Sequence, residues 1–212
     1  MREFIPFRKK GEFKMRKNKL LAFGLVAMMA VSLTACGSKE NTETTPTPTI
    51  EATPTEAPKL TAEEAGAKLA EVQTGVQELL GENYVANMPL EPLYLTEVYG
   101  IEESMYDAVV AAGPMMSAHI DTFIALRPTE GNQENVVNAL TAYQDALKAD
   151  TFQYPSNVPK IQASRVEVVG DYVFFYMLGF IDDTAYDTEE AMIGAYNEIN
   201  DSISAKINEI IG

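Results

Sequence analysis

Cysteine is almost missing from this chain of 212 residues: Cys36 stands alone, so no intramolecular disulfide can form and no cysteine cluster can hold a metal. Tryptophan is absent and His119 is the one histidine, which removes most of the usual metal ligands, general bases and stacking platforms. Basic charge is scarce as well. Residues 1 to 35 hold eight of the sixteen Lys and Arg, and from Cys36 onward eight bases face 29 acids, a balance of −21. Such a surface repels phosphate backbones and gains nothing from counterion release, so no nucleic-acid partner is expected. It is pushed from anionic lipid headgroups too, so any attachment to a membrane has to come from something other than a basic patch. The catalytic motifs that a sequence can carry are also missing: there is no phosphate-binding glycine loop, no H-E-x-x-H and no G-x-S-x-G. No cofactor and no metal is expected. The length allows one domain plus appendages, held together by packing alone.

What is present begins with a basic region, Arg8 to Lys19, that runs into the apolar stretch Leu20 to Leu33 and the small residues Thr34-Ala35. This is the layout of a signal peptide over residues 1–35. As a helix the apolar stretch would extend about 21 Å, short of the roughly 30 Å hydrocarbon core, which disfavours a permanent transmembrane span. Leu33-Thr34-Ala35-Cys36 resembles the bacterial lipobox, in which a diacylglyceryl thioether is attached to the cysteine and the chain is cut just before it. Cys36 is therefore the expected lipidation site, and the membrane the expected partner through that anchor. Two acyl chains bury many methylenes at about 0.8 kcal/mol each, which holds where a single chain is marginal. A complete signal also begins at Met15, an alternative translation start.

Residues 36–61 form the lipidated cysteine and a linker dominated by Thr, Pro, Glu and Ser, with Pro46, Pro48, Pro54 and Pro58 spaced through it. That composition has too little apolar surface to fold alone. As a coil it spans on the order of 30 Å, and fully polyproline-like about 78 Å, so the domain stands off the bilayer.

Residues 62–212 read as one α+β domain. Thr61-Ala62-Glu63-Glu64 is a capping box that opens a helix carrying Ala65, Leu69, Val72, Val76 and Leu79 at steps of three and four. Two short helical pieces are expected near Leu93 to Tyr99 and Glu102 to Ala112. Met115 to Leu126 alternates: Met116, Ala118, Ile120, Thr122, Ile124 and Leu126 share one face, and Ser117, His119 and Asp121 the other, as in a half-buried strand. A helix from about Asn132 to Ala149 follows, then a Pro-containing connection, Asp150 to Lys160. Gln162 to Val169 and Tyr172 to Leu178, joined by Gly170-Asp171, read as a β-hairpin whose second strand is apolar on both faces and therefore central. Asp187-Thr188-Glu189-Glu190 caps a last helix bearing Met192, Tyr196, Ile199, Ile203, Ile207 and Ile210. The expected architecture is a three-stranded antiparallel sheet packed with helices, with the aromatic strand in the middle.

Three stretches, Asn87-Met88-Pro89-Leu90, Ser117 to Ala125 (SAHIDTFIA) and Gly170 to Gly179 (GDYVFFYMLG), resemble the family of domains of unknown function numbered 4358, small lipoproteins of Gram-positive bacteria. The likeness spans most of residues 62 to 211. It implies an extracytoplasmic lipoprotein and brings no catalytic residue with it.

Ser117, His119 and Asp121 supply the residue types of a serine hydrolase triad, but neighbours two apart on a strand stand about 7 Å apart, too far for the hydrogen bonds that activate a nucleophile. They remain candidates for ligand or partner contact, against the plainer reading of a solvated face. Asp182, Asp183, Asp187, Glu189 and Glu190 offer oxygens for Ca²⁺, yet their spacing fits no EF-hand and helix capping accounts for Asp187 and Glu190. The aromatic row Tyr172, Phe174 and Tyr176 is expected in the core, and Arg127, Lys160 and Arg165 as partners of surrounding acids. The expected function is a non-catalytic binding or interaction module on the extracytoplasmic face of the cell membrane, taking an envelope protein or a small ligand. The alternatives are an envelope hydrolase using paired carboxylates and a structural subunit of a surface complex.

Overall fold

The computed structural model describes residues 59–212; the expected signal peptide, Cys36 and almost all of the linker lie outside the described residues. Thr61 caps α1 (Ala62–Leu80), its hydroxyl accepting from the Glu64 amide at 3.2 Å while the Glu64 carboxylate accepts from the Thr61 amide at 2.8 Å. The capping box expected from the sequence is therefore present, and Ala65, Leu69, Val72 and Val76 are buried as their spacing requires. Leu79 departs from that stripe and is exposed.

The chain then forms β1 (Met88–Pro89), α2 (Pro92–Tyr99), β2 (Tyr106–Gly113), β3 (Thr122–Pro128), α3 (Gln133–Ala149), α4 (Val158–Ala163), β4 (Arg165–Val169), β5 (Tyr172–Met177) and α5 (Glu189–Ile211). The strands make one antiparallel sheet in the order β1-β2-β3-β5-β4. The expected three strands, β3, β5 and β4, form one side of it, with β5 between the other two and β4 at the edge, but the sheet has five. Glu102–Ala112, read as helical, contains instead a short 3₁₀ turn and most of β2. Its Val109-Val110 pair and three alanines satisfy either structure locally; pairing with β3, from Ala108 opposite Arg127 to Ala112 opposite Phe123, decides for the strand.

Two further expectations are corrected. The strand read over Met115–Leu126 begins only at Thr122, because the pairing partners run out there: β2 ends at Gly113 and β5 at Met177, which lies opposite Thr122. Residues 114–121 are the loop joining β2 to β3, so Ser117, His119 and Asp121 do not share a strand face. The Asp150–Lys160 connection ends in α4, where Pro159 sits in the first turn, a position that does not need its missing N–H.

Helices cover both faces of the sheet. On one, α1 and α5 pack over Phe123, Ala125, Tyr172, Phe174 and Tyr176; on the other, α2, α3 and α4 cover Ile124, Leu126, Val173, Phe175 and Met177. Tyr172, Phe174 and Tyr176 are thus core residues, and each phenylalanine so buried stabilises the fold by roughly 2–3 kcal/mol. Gly170 turns the hairpin at a left-handed φ of 59°, which a side chain adopts only under strain. Among the described residues no helix is long and apolar enough to cross a membrane.

Candidate functional site

The two ends of the sheet differ in kind. At one end, where β2 starts and β3 finishes, the buried Arg127 donates to both oxygens of Asp107 at 2.7 and 2.8 Å and to the Leu60 carbonyl at 2.8 Å. The chain enters the domain there. The Asp107 carboxylate holds the Arg127 guanidinium above even its ordinary pKa. At the other end, about 17 Å along β3, the 114–121 loop separates two clefts, and His119 lines both.

The narrower cleft, about 160 Å³, lies between this loop, the start of α4 and the segment from Phe180 into α5; Ser156, Lys160, Asp183 and Tyr196 contribute to its wall. Behind it is a buried ion pair. Lys160 Nζ donates to both Asp121 oxygens at 2.8 Å and lies 5.6 Å from the centre of the Tyr196 ring, while Asp121 is 1% exposed. Burial pushes the Asp121 carboxyl up from its ordinary value, against the pull of the Lys160 ammonium. Burial pushes the Tyr196 hydroxyl up to about 12, with the Asp121 charge adding to it. Tyr196 therefore serves this cleft as a neutral hydroxyl.

The wider groove, about 490 Å³, runs between β1, α2, α3 and the loop, with Tyr94, Tyr99 and Tyr143 among its walls. The rings of Tyr99 and Tyr143 lie 4.4 Å apart, and Tyr143 meets Phe175 edge-on at 5.7 Å. Burial raises both tyrosine hydroxyls above their ordinary pKa, so the groove presents apolar surface and uncharged hydroxyls. Among the described residues His119 is the one titratable side chain other than tyrosine in its lining.

Of the three residues singled out by sequence, Ser117 and His119 are exposed and line the groove, whereas Asp121 is buried behind the cleft. His119 Nδ1 stands 3.9 Å from Asp121 Oδ2, beyond hydrogen-bond reach, and that carboxylate is already held by Lys160. The geometry of a serine triad is absent. The three cations behave as their acidic surroundings suggest: Arg127 pairs with Asp107, Lys160 with Asp121 and Arg165 with Asp201. In the acidic run, Asp182 accepts from the Thr184 amide and Thr188 caps α5, one residue later than the start of the expected capping sequence. No group of three or more possible metal-ligating side chains occurs among the described residues.

Sequence reasoning did not anticipate the groove tyrosines or the exposed Phe152, Tyr154 and Phe180. A signal for the last three was present: aromatic residues placed in loop segments have no core face to occupy.

Residues 81–178 match the family model of a domain of unknown function, DUF4358. The matched segment contains the whole sheet and every residue lining the wider groove, while α1, α5 and the Phe180–Tyr196 side of the narrower cleft lie outside it. Comparison with curated proteins and with solved structures gave no match.

Proposed function

We propose that this chain is a lipid-anchored, extracytoplasmic binding module, held at the cell membrane by a diacylglyceryl thioether on Cys36 and free of catalysis. The lipobox-like residues, the Thr/Pro/Glu linker and the resemblance to small lipoproteins of Gram-positive bacteria support the anchor. The observation that carries the binding reading is the polarity of the domain: the linker joins it at Leu60, held by Arg127, and both clefts open near the opposite end of β2 and β3. A module tethered at one end offers its other end to a partner, either an envelope protein or a small ligand. The hydrolase alternative needs two acids facing each other in a cleft. Among the described residues Asp183 is the single carboxylate lining the narrower cleft, and none lines the wider groove.

Fractionation of cells making Cys36→Ala tests the anchor. The variant is expected in the medium, or as an uncut precursor; a normally cleaved form that stays on the membrane would contradict lipidation.

A further inference from the structure

The end of the domain opposite Leu60 exposes several large apolar side chains on neighbouring loops. Phe152 is 95% exposed, Met115 76% and Phe180 66%, with Met116 and Tyr154 close behind. They come from three loops that the structure joins: the Asn157 side chain donates to the Ala118 carbonyl at 3.1 Å, and His119, Asn157 and Phe180 line one cleft. Scattered exposed apolar residues need no account, but several gathered on one end mark an interaction surface.

Charge selects what covers it. Asp182, Asp183, Asp187, Glu189 and Glu190 are exposed on the segment that follows Phe180, and none forms an ion pair among the described residues. A bilayer rich in anionic headgroups is repelled by these acids. A second copy would bring the same acids against each other, a juxtaposition that costs affinity. A cationic surface with an apolar centre suits both features at once.

We infer that this end docks a basic, amphipathic protein segment, with its apolar side chains in the clefts flanking His119 and its Lys or Arg side chains against the acids of residues 182–190. The inference rests on the binding-module reading and names its partner class. Since the chain has no tryptophan, a basic amphipathic peptide containing one Trp reports binding by its own emission. The partners in the titration are the full chain carrying Cys36→Ala and that chain with Phe180→Ser, with Asp183→Asn and Asp187→Asn together, or with Glu130→Gln at the exposed opposite end. The basic peptide's emission is expected to shift to the blue, with affinity about tenfold weaker for the Phe180 and the double Asp variants and unchanged for Glu130→Gln. A counterpart peptide with Glu in place of Lys is expected to give no shift.

Absence of a shift with the basic peptide overturns the inference, as does an equal response to the acidic one or an equal loss in Glu130→Gln. So does co-sedimentation of the chain with phosphatidylglycerol vesicles, or self-association, if Phe180→Ser abolishes it, since each then assigns the surface to a different occupant. Failure of the peptide with Cys36-dependent membrane retention intact refutes the partner class alone; loss of that dependence with peptide binding intact refutes the anchor alone.

Discussion

Two buried cations organise the ends of the domain, and their partners differ in exposure. Asp121 is buried behind the narrower cleft, so removing Lys160 strands a charge or forces it to take a proton. Lys160→Met is expected to cost about 3 kcal/mol or more, much of it recovered when Asp121 is made Leu in the same chain, since an apolar pair of similar volume removes the desolvation penalty. The pH dependence follows from the raised carboxyl. The folded state holds the Asp121 proton more tightly than the unfolded chain, so this group's contribution to stability declines as pH rises from its ordinary 3.8 through the raised value. Lys160→Met removes the ammonium that opposes the rise, so urea unfolding of the variant should lose stability more steeply with increasing pH than the parent. At the other end Asp107 is about one-third exposed while Arg127 is buried. Asp107→Ala leaves a buried guanidinium short of its acceptor and is expected to cost about 2 kcal/mol, more than Arg127→Met, whose loss leaves a carboxylate that water can reach. Urea titration of the two variants compares them directly.

Elements with local signals were the legible ones. The Thr61–Glu64 box and, Leu79 aside, the apolar stripes of α1, α3 and α5 stand in the sequence as they do in the fold, and Gly170-Asp171 marks the hairpin because a tight turn needs the left-handed backbone. Elements fixed by distant partners were not legible. Val109, Val110 and the alanines of β2 carry no period that separates strand from helix, and only the ladder to β3 settles them. The 115–121 loop misled in the opposite sense: its alternation reads as a buried face, yet Met115 and Met116 are exposed because neither neighbouring strand extends far enough to pair with it. For the same reason the candidate site was half legible. Ser117 and His119 line the groove, but the long-range contact between Asp121 and Lys160 has no local trace. The capping box itself is testable. Thr61→Ala is expected to cost about 1 kcal/mol. Hydrogen bonds from Thr61 hold the Glu64 carboxyl below its ordinary value, so its contribution is complete above pH 4.5 and is lost as pH falls through the lowered value. Glu64→Gln should flatten that part of the acid-unfolding curve.

At the scale of the whole molecule the proposed arrangement has a direction: a leader to be cut, a thiol to be acylated, a linker of Thr and Pro, and a domain held at Leu60 with its clefts at the far end. No helix among the described residues is long and apolar enough to cross a membrane, and the proposed anchoring therefore turns on the modification of Cys36. The most direct test is mass spectrometry of the N-terminal peptide of the protein extracted from membranes. The account predicts that the peptide begins at Cys36 and carries the added mass of a diacylglyceryl group. A peptide that retains residues before Cys36, or one whose Cys36 thiol is free, would contradict it.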